Sequence, residues 1–344
     1  MKSRPLDRNP RWQRGSSAPT GSSAGRTVDP AGFAFGVVLP VLAAVTALIL
    51  TLAWRSRLPE RIAVHWSATA PDRFAPPMQT AWVFVLVICI VGGGATVLAA
   101  FAQALLLMRR MLLMIGVTVI GLLLTLYVEM LRVQLDRTDA AGIRLPANAI
   151  ALGVVLGFIV GAVGAGLLRD YRVRAYASQP PASTLPRATP VPVRTSAGFG
   201  WAGVVVFCAV GGGLAVLGCV LAEAYWPLAI SIPVIILIAA LMRFEIIVDR
   251  RGIRVTNFGF ATIDIALAEV VGAKITEVNP FKDFGGWGLR TRGHRRYGIV
   301  THTGPAVQID TASGLQLTIS LSRAETITGI INGFADQRFG EDCR

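Results

Sequence analysis

Histidine and cysteine are scarce: three His and four Cys in 344 residues leave few side chains from which a metal site, a disulfide framework or an acid–base triad could be built. Cys89, Cys208 and Cys219 lie inside apolar runs and Cys343 sits near the end of the chain, with no CxxC or Cys/His spacing among them. Lysine is nearly missing as well. Only Lys2, Lys274 and Lys282 stand among 33 basic residues, an arginine bias that fits a GC-rich bacterial genome. Charge of any kind is thin, at 15% of residues against 53% hydrophobic, and the mean hydropathy is +0.58. That is more apolar content than one soluble core holds, so a bilayer is the natural solvent. The formal charge of +13 does not point to nucleic acid, because the basic residues avoid the apolar runs and flank them. No enzyme, cofactor or metal is expected.

What is present is a series of long apolar runs. A helix needs about 20 residues to cross a bilayer core of about 30 Å. Six stretches qualify, at 32–54, 80–107, 111–131, 147–168, 199–222 and 226–242. The sixth is the shortest and carries Pro227 and Pro233, which predicts a kink or a re-entrant segment. Residues 1–30 are polar, basic and rich in Ser, Gly and Pro, and read as a disordered tail. The first apolar run begins too late and runs too long for a secretory signal, so it reads as an uncleaved span. Basic residues on alternate sides of the six spans divide 26 against 7, or 13 against 7 without the region from Arg243 onward. By the positive-inside rule both termini face the cytoplasm of a bacterial plasma membrane.

The spans fall into a four-helix part at 31–168 and a two-helix part at 199–242, joined by a Pro-rich stretch at 169–198 that reads as an extended cytoplasmic linker free to permit relative motion. From Arg243 the pattern changes to short alternating strands. FEIIVDRRGIRVTN predicts a hairpin turning at Asp249–Gly252, with further strands near 261–265, 273–278, 286–291, 296–302, 306–310 and 315–321. A helix over 324–339 follows, with Ile327, Ile330, Ile331 and Phe334 on one face, and residues 340–344 form a tail. The expected fold class is therefore an α-helical multi-pass membrane protein with six transmembrane helices plus a small C-terminal β-barrel or sandwich capped by a helix. The strand count, closing helix and GIRV hairpin of residues 243–339 resemble a bacterial pleckstrin-homology-like fold, which implies lipid or protein contact by analogy.

The loop at 55–79, RSRLPERIAVHWSATAPDRFAPPMQ, is more apolar than a solvent loop needs and is expected to fold onto the spans. His65 and Asp72 form a titratable pair suited to ligand binding, pH sensing or a cation site; the plainer alternative packs Trp66 and His65 at the interface and pairs Asp72 with Arg61 or Arg73. Leu58, Pro59, Ile62, His65, Trp66, Pro71 and Asp72 resemble the extracellular loop motif of the SdpI-like immunity family. Departures are Ala63 where that family usually has Pro, Trp66 for Phe, Ser67 for Asn and Ala70 near its Gly. The resemblance covers about the first quarter of the chain and implies a peptide-facing or sensory membrane protein.

Two further features stand out. A basic, aromatic stretch holds Phe281, Phe284, Trp287, Arg290, Arg292, His294, Arg295 and Arg296, a candidate contact for anionic lipid or a protein partner, or else a solvated hairpin tip with folded-down aromatics. The pattern CxVGGGxxVL occurs at Cys89–Leu98 and Cys208–Leu217, and GVVL at Gly36 and Gly153. The triplets Gly92, Gly93, Gly94 and Gly211, Gly212, Gly213 would pack helices closely or mark a duplicated three-span unit in inverted topology. Three readings of function result: a sensor or immunity-type protein whose loop meets an external peptide, a transporter for small solutes or lipid with a cavity between the second and fifth spans, or a membrane anchor for the C-terminal domain. Mid-span polar residues, which transport would use, are nearly absent apart from Gln103 and scattered Thr.

Overall fold

The computed structural model describes residues 27–341 except 68–69, 103, 145–147, 258–259 and 294. The expected tail through residue 26, Gln103, His294 and residues 342–344 lie outside the described residues. Residues 27–29, placed by composition in that tail, are already part of the fold: Asp29 accepts from the amides of Ala31 and Gly32 and caps the first helix.

Helix α1 runs over Pro30–Arg57 with a π-helical turn at Ala34–Val38. That turn has a local cause. Pro40 has no amide to give the carbonyl four residues back, and the Thr96 hydroxyl donates to this Gly36 oxygen at 2.8 Å. The hairpin β1 (Ile62–Ser67) and β2 (Ala70–Ala75) follows, then α2 (Pro77–Ala100), α3 (Leu106–Arg132) and α4 (Asn148–Leu167). The turn between α2 and α3 falls before Leu106, so Arg109 and Arg110 lie inside the first turns of α3 and not in a charged loop.

The most extensive helix pair is α3 with α4, and glycines make it possible. A side chain at Gly121 would meet the Gly157 backbone at 2.7 Å, one at Gly153 the Gly121 oxygen at 2.8 Å, and one at Gly161 the Met114 backbone at 3.1 Å. In a bilayer, where apolar side chains gain nothing by leaving lipid, close backbone packing of this kind is the main attraction between helices.

Strand β3 (Val193–Gly198) leads into α5 (Trp201–Ala222) and α6 (Trp226–Met242), and α6 continues directly into β4 (Arg243–Asp249). β3 and β4 pair antiparallel from Val193 opposite Val248 to Gly198 opposite Arg243, and the Phe199 amide donates to the Met242 carbonyl at 2.9 Å. The two helices therefore leave and re-enter the same sheet as a closed hairpin. Gly198, at φ +113, is required at this junction, since a side chain there would overlap the Met242 carbonyl oxygen. Among the described residues five helices are long and apolar enough to cross a membrane: α1, α2, α3, α4 and α5. The expected sixth, α6, has 17 residues and Pro233 inside it, so by length it falls below the other five.

The strands after α6 are β5 (Gly252–Asn257), β6 (Phe260–Ala266), β7 (Val270–Val278), β8 (Gly288–Thr291), β9 (Arg296–Val300), β10 (Gly304–Thr311) and β11 (Gln316–Ser320), with the short helix α7 (Pro280–Phe284) before β8 and α8 (Ala324–Glu341) closing the chain. They form two open sheets, ordered β3-β4-β5-β6 and β7-β10-β11-β9-β8, not a closed barrel. β9 and β11 pair in parallel, which breaks the up-and-down order that successive hairpins would give. The pleckstrin-like topology inferred from strand count is thus not carried by the strand order. Inward positions of both sheets, such as Phe244, Ile246, Val255, Ile309 and Leu317, share one core with Ile327, Ile330, Ile331 and Phe334 of α8. Leu105 and Leu107, at the start of α3, belong to the same core, so the sheet domain is docked onto the helical part.

The Pro-rich stretch is not a free connection. Arg174 pairs with the buried Glu269 at 2.9 Å, Arg187 with Asp336 at 2.5 Å, and the Ala177 and Ala188 amides donate to Ala268 and Gly329. Asn332 of α8, fully buried, donates to the carbonyls of Pro186 and Ala273 and accepts from the Ala273 amide. The stretch ends as β3, so the sheet domain takes strands from both sides of the α5–α6 hairpin.

Candidate functional site

The loop of residues 55–79 folds as the β1–β2 hairpin, with Ile62 opposite Ala75 and Trp66 opposite Pro71, and with irregular register on both sides of His65. The expected pair forms: His65 Nδ1 lies 2.7 Å from Asp72 Oδ1, and the Ser67 hydroxyl donates to the other carboxylate oxygen. Arg61 is not Asp72's partner; its guanidinium donates to the Phe74 carbonyl at 2.9 Å. The Ser67 hydroxyl first, and the His65 ring second, hold the Asp72 carboxyl below its ordinary range. A depressed carboxylate contributes stability above its unfolded pKa, about 3.9, and loses it as pH falls through the folded value. Ser67→Ala is therefore expected to move the Asp72 titration midpoint upward, read by NMR of the carboxyl carbon; an unmoved midpoint would show that the hydroxyl does not set it.

The hairpin is seated on the end of α3. Ile62 is fully buried against Ala47, Ala81, Tyr127, Met130 and Leu131, with Leu58, Val64 and Trp66 packed over the cluster. The Trp66 indole donates to the Ile143 carbonyl at 2.7 Å, so this residue is an amphipathic anchor and not an exposed one. Gln134, fully buried just past α3, accepts from the Ala63 amide at 2.7 Å and donates to the Ala63 carbonyl at 3.1 Å and the Met130 carbonyl at 2.8 Å. One side-chain amide thus satisfies both backbone groups of a buried strand residue. This also gives Ala63 a reason: the proline of the resembling motif would have no amide to donate. Pro59 and Leu58 lie at the α1 exit, where Arg57 and Asp136 pair at 2.5 Å and the Asp136 amide donates to the Arg57 carbonyl at 2.7 Å. Deeper in the bundle, the Thr51 and Tyr127 hydroxyls meet at 2.5 Å.

At the opposite end of α3 lies an ion pair that sequence reading missed. Arg109 and Asp29 are each 1% exposed and paired. The same guanidinium donates to the carbonyls of Ala99 and Arg169, and the Arg169 amide donates to Asp29. One pair therefore ties together the beginnings of α1 and α3 and the ends of α2 and α4. Arg109 falls between the apolar runs 80–107 and 111–131, where a basic residue reads as a connecting charge.

The basic, aromatic stretch divides in two. Phe284 is folded down against Gly298 and Val300, as the plainer reading has it. Phe281 and Trp287 stay about 60% exposed and meet edge to face at 4.8 Å. Arg292 donates to the carbonyls of Lys282 and Asp283, Arg295 to Ser313, and Arg296 to Gln316, while Arg290 stacks beside Gly286. These arginines shape the turn, and no ion pair of theirs is among those formed by the described residues. The glycine triplets are not equivalent. Gly92 packs on Ile120 within a π-helical turn and Gly93 approaches Pro40, whereas α5 is regular, Gly211 meets only Ile235, and Gly212 and Gly213 face open space, as does Gly94. Among the described residues the two copies thus differ in backbone and in neighbours, which lends the inverted repeat no structural support.

Residues 41–89, which span most of α1, the hairpin and the start of α2, match a domain of unknown function, DUF1648. No curated protein and no solved structure matches the chain. The matched segment contains the whole His65–Asp72 hairpin, while the Asp29–Arg109 pair and the sheet domain fall outside it.

Proposed function

We propose that this multi-pass membrane protein is a plasma-membrane sensor or immunity-type protein of bacteria, whose β1–β2 hairpin meets an external peptide and whose sheet domain binds lipid or a protein partner in the cytoplasm. The observation that carries this reading is α3. Its 27 residues, about 40 Å of helix, hold the hairpin at one end through Tyr127, Met130 and Leu131, with Gln134 just beyond, and at the other end insert Leu107 and Met111 at the sheet-domain core. One continuous helix packed at both ends is the element through which a change at the hairpin would reach the domain, and the variants below test that coupling. The distribution of basic residues supports placing the sheet domain inside the cell. The exposed Phe281 and Trp287 beside the arginine turn suit an anionic surface.

The test is survival of a peptide-sensitive strain expressing the protein and challenged with membrane-active peptides. The wild type is expected to protect. His65→Ala is expected to abolish protection at an unchanged membrane level, because it removes the hairpin's polar pair without touching α3. Gln134→Ala leaves both Ala63 backbone groups buried without partners, at about 1–3 kcal/mol each, and is expected to abolish protection by releasing the hairpin from the helix. Equal killing with and without the gene sinks the immunity reading.

A further inference from the structure

A cavity of about 370 Å³ lies where the four-helix part, the α5–α6 hairpin and the sheet domain meet. Its α3 wall is Leu107, Met111 and Met114, its α4 wall Ala162, Ala165 and Gly166, and its far wall the stretch of α6 from Ile235 to Ala240, with Cys208 of α5 beside it. All four helices contribute from the ends nearest the sheet domain. The lining is almost wholly apolar; Arg110, with Asn257 and Thr262 of the sheet domain, borders it and adds very little polar surface.

An apolar slot with one guanidinium at its border suits a hydrocarbon chain whose polar end lies outside the slot. An apolar space of this size at bilayer depth gains nothing from water and forfeits dispersion contacts if empty. The volume is at the small end of ligand cavities, about 300–1,000 Å³, which suits one hydrocarbon chain and not a whole lipid. Arg110 is held in place at this site: its Nε donates to the Ala165 carbonyl at 3.0 Å and its Nη2 to the Leu168 carbonyl at 3.3 Å. A guanidinium fixed beside an apolar slot matches a phosphate joined to an acyl chain.

We infer that the cavity binds an anionic phospholipid from the leaflet on the sheet-domain side, with one acyl chain between α3, α4 and α6 and the phosphate toward Arg110. The bound chain would fill the joint between the helical part and the sheet domain, so lipid composition would set how firmly the two are docked. The inference rests on the membrane placement of the helices and is independent of what the β1–β2 hairpin meets.

The experiment is photo-crosslinking of the full chain in phosphatidylcholine nanodiscs doped with phosphatidylglycerol that carries a diazirine in one acyl chain. Peptide mapping is expected to place the label on Met111, Met114 and Ile235–Leu237. Filling the space by Ala162→Phe or by Ala239→Leu is expected to lower that label by about tenfold, while labelling of Val206 and Val210 on the outward face of α5 stays constant as a control for folding. Arg110→Gln is expected to lower the label from phosphatidylglycerol to the level given by a diacylglycerol probe with the same chain. Label confined to the outward face of α5, or cavity label unchanged by both filling variants, would overturn the site. Equal labelling by the two probes in the wild type would overturn the phosphate contact.

Discussion

Gly157→Leu is expected to separate α3 from α4 and to cost about 3 kcal/mol, read as a shift of equilibrium unfolding in mixed detergent micelles. The reason is backbone and not side-chain contact. A side chain at Gly157 would meet the Thr118 Cα and the Val117 oxygen at 2.8 Å, and neither can move without moving α3 itself. Gly153 and Gly161 lie on the same face of α4 at four-residue spacing, so prising the helices apart at Gly157 strips contacts along the whole pair. Gly94→Ala supplies the control. Nothing lies within 4 Å of a side chain there, and the change is expected to stay within about 0.5 kcal/mol. Equal behaviour of the two variants would show that the close crossing does not hold the bundle.

Arg109→Met is the second large effect, an expected loss of about 3–5 kcal/mol, because it leaves the Asp29 carboxylate buried without its counterion. Asp29→Leu in the same chain is expected to restore part of the loss, since an apolar pair of similar volume avoids that charge. Full recovery is not expected. Ala99 and Arg169 would still lack the donors that Arg109 gives their carbonyls. A double-mutant cycle in the same micelles reads the coupling, and additive losses would show that the two residues act separately.

The helices and most strands were legible because their signals are local. Long apolar runs mark α1 to α5, and the DRRG turn with alternation at Phe244, Ile246 and Val248 marks the first hairpin after α6. Ile327, Ile330, Ile331 and Phe334 share a helical face in the sequence and are buried together in the structure. The His65–Asp72 pair was one of two readings open in the sequence, and the antiparallel hairpin between them brings side chains seven positions apart into contact.

The groups that fix the site to the scaffold were not legible. Gln134 and Asn332 each satisfy a strand residue 71 and 59 positions away, and nothing in a single polar residue says which distant backbone it will bond. Arg109 reads as a topology charge until Asp29 is found against it across 80 positions. The glycine triplets stand out by composition, yet the glycines that carry the α3–α4 crossing, Gly121, Gly153 and Gly157, are spread singly through two spans.

The amino-acid sequence by itself determined the solvent, the number of long apolar helices within one, and the change from helices to sheet after residue 243, because hydropathy and alternation act over a few residues. Only the tertiary structure decided that the α5–α6 pair is a hairpin returning to one sheet, that the Pro-rich stretch is bound to the domain it precedes, and that α3 joins the hairpin to that domain. Those outcomes depend on which distant backbone groups satisfy one another away from water, a requirement imposed only when the chain is folded.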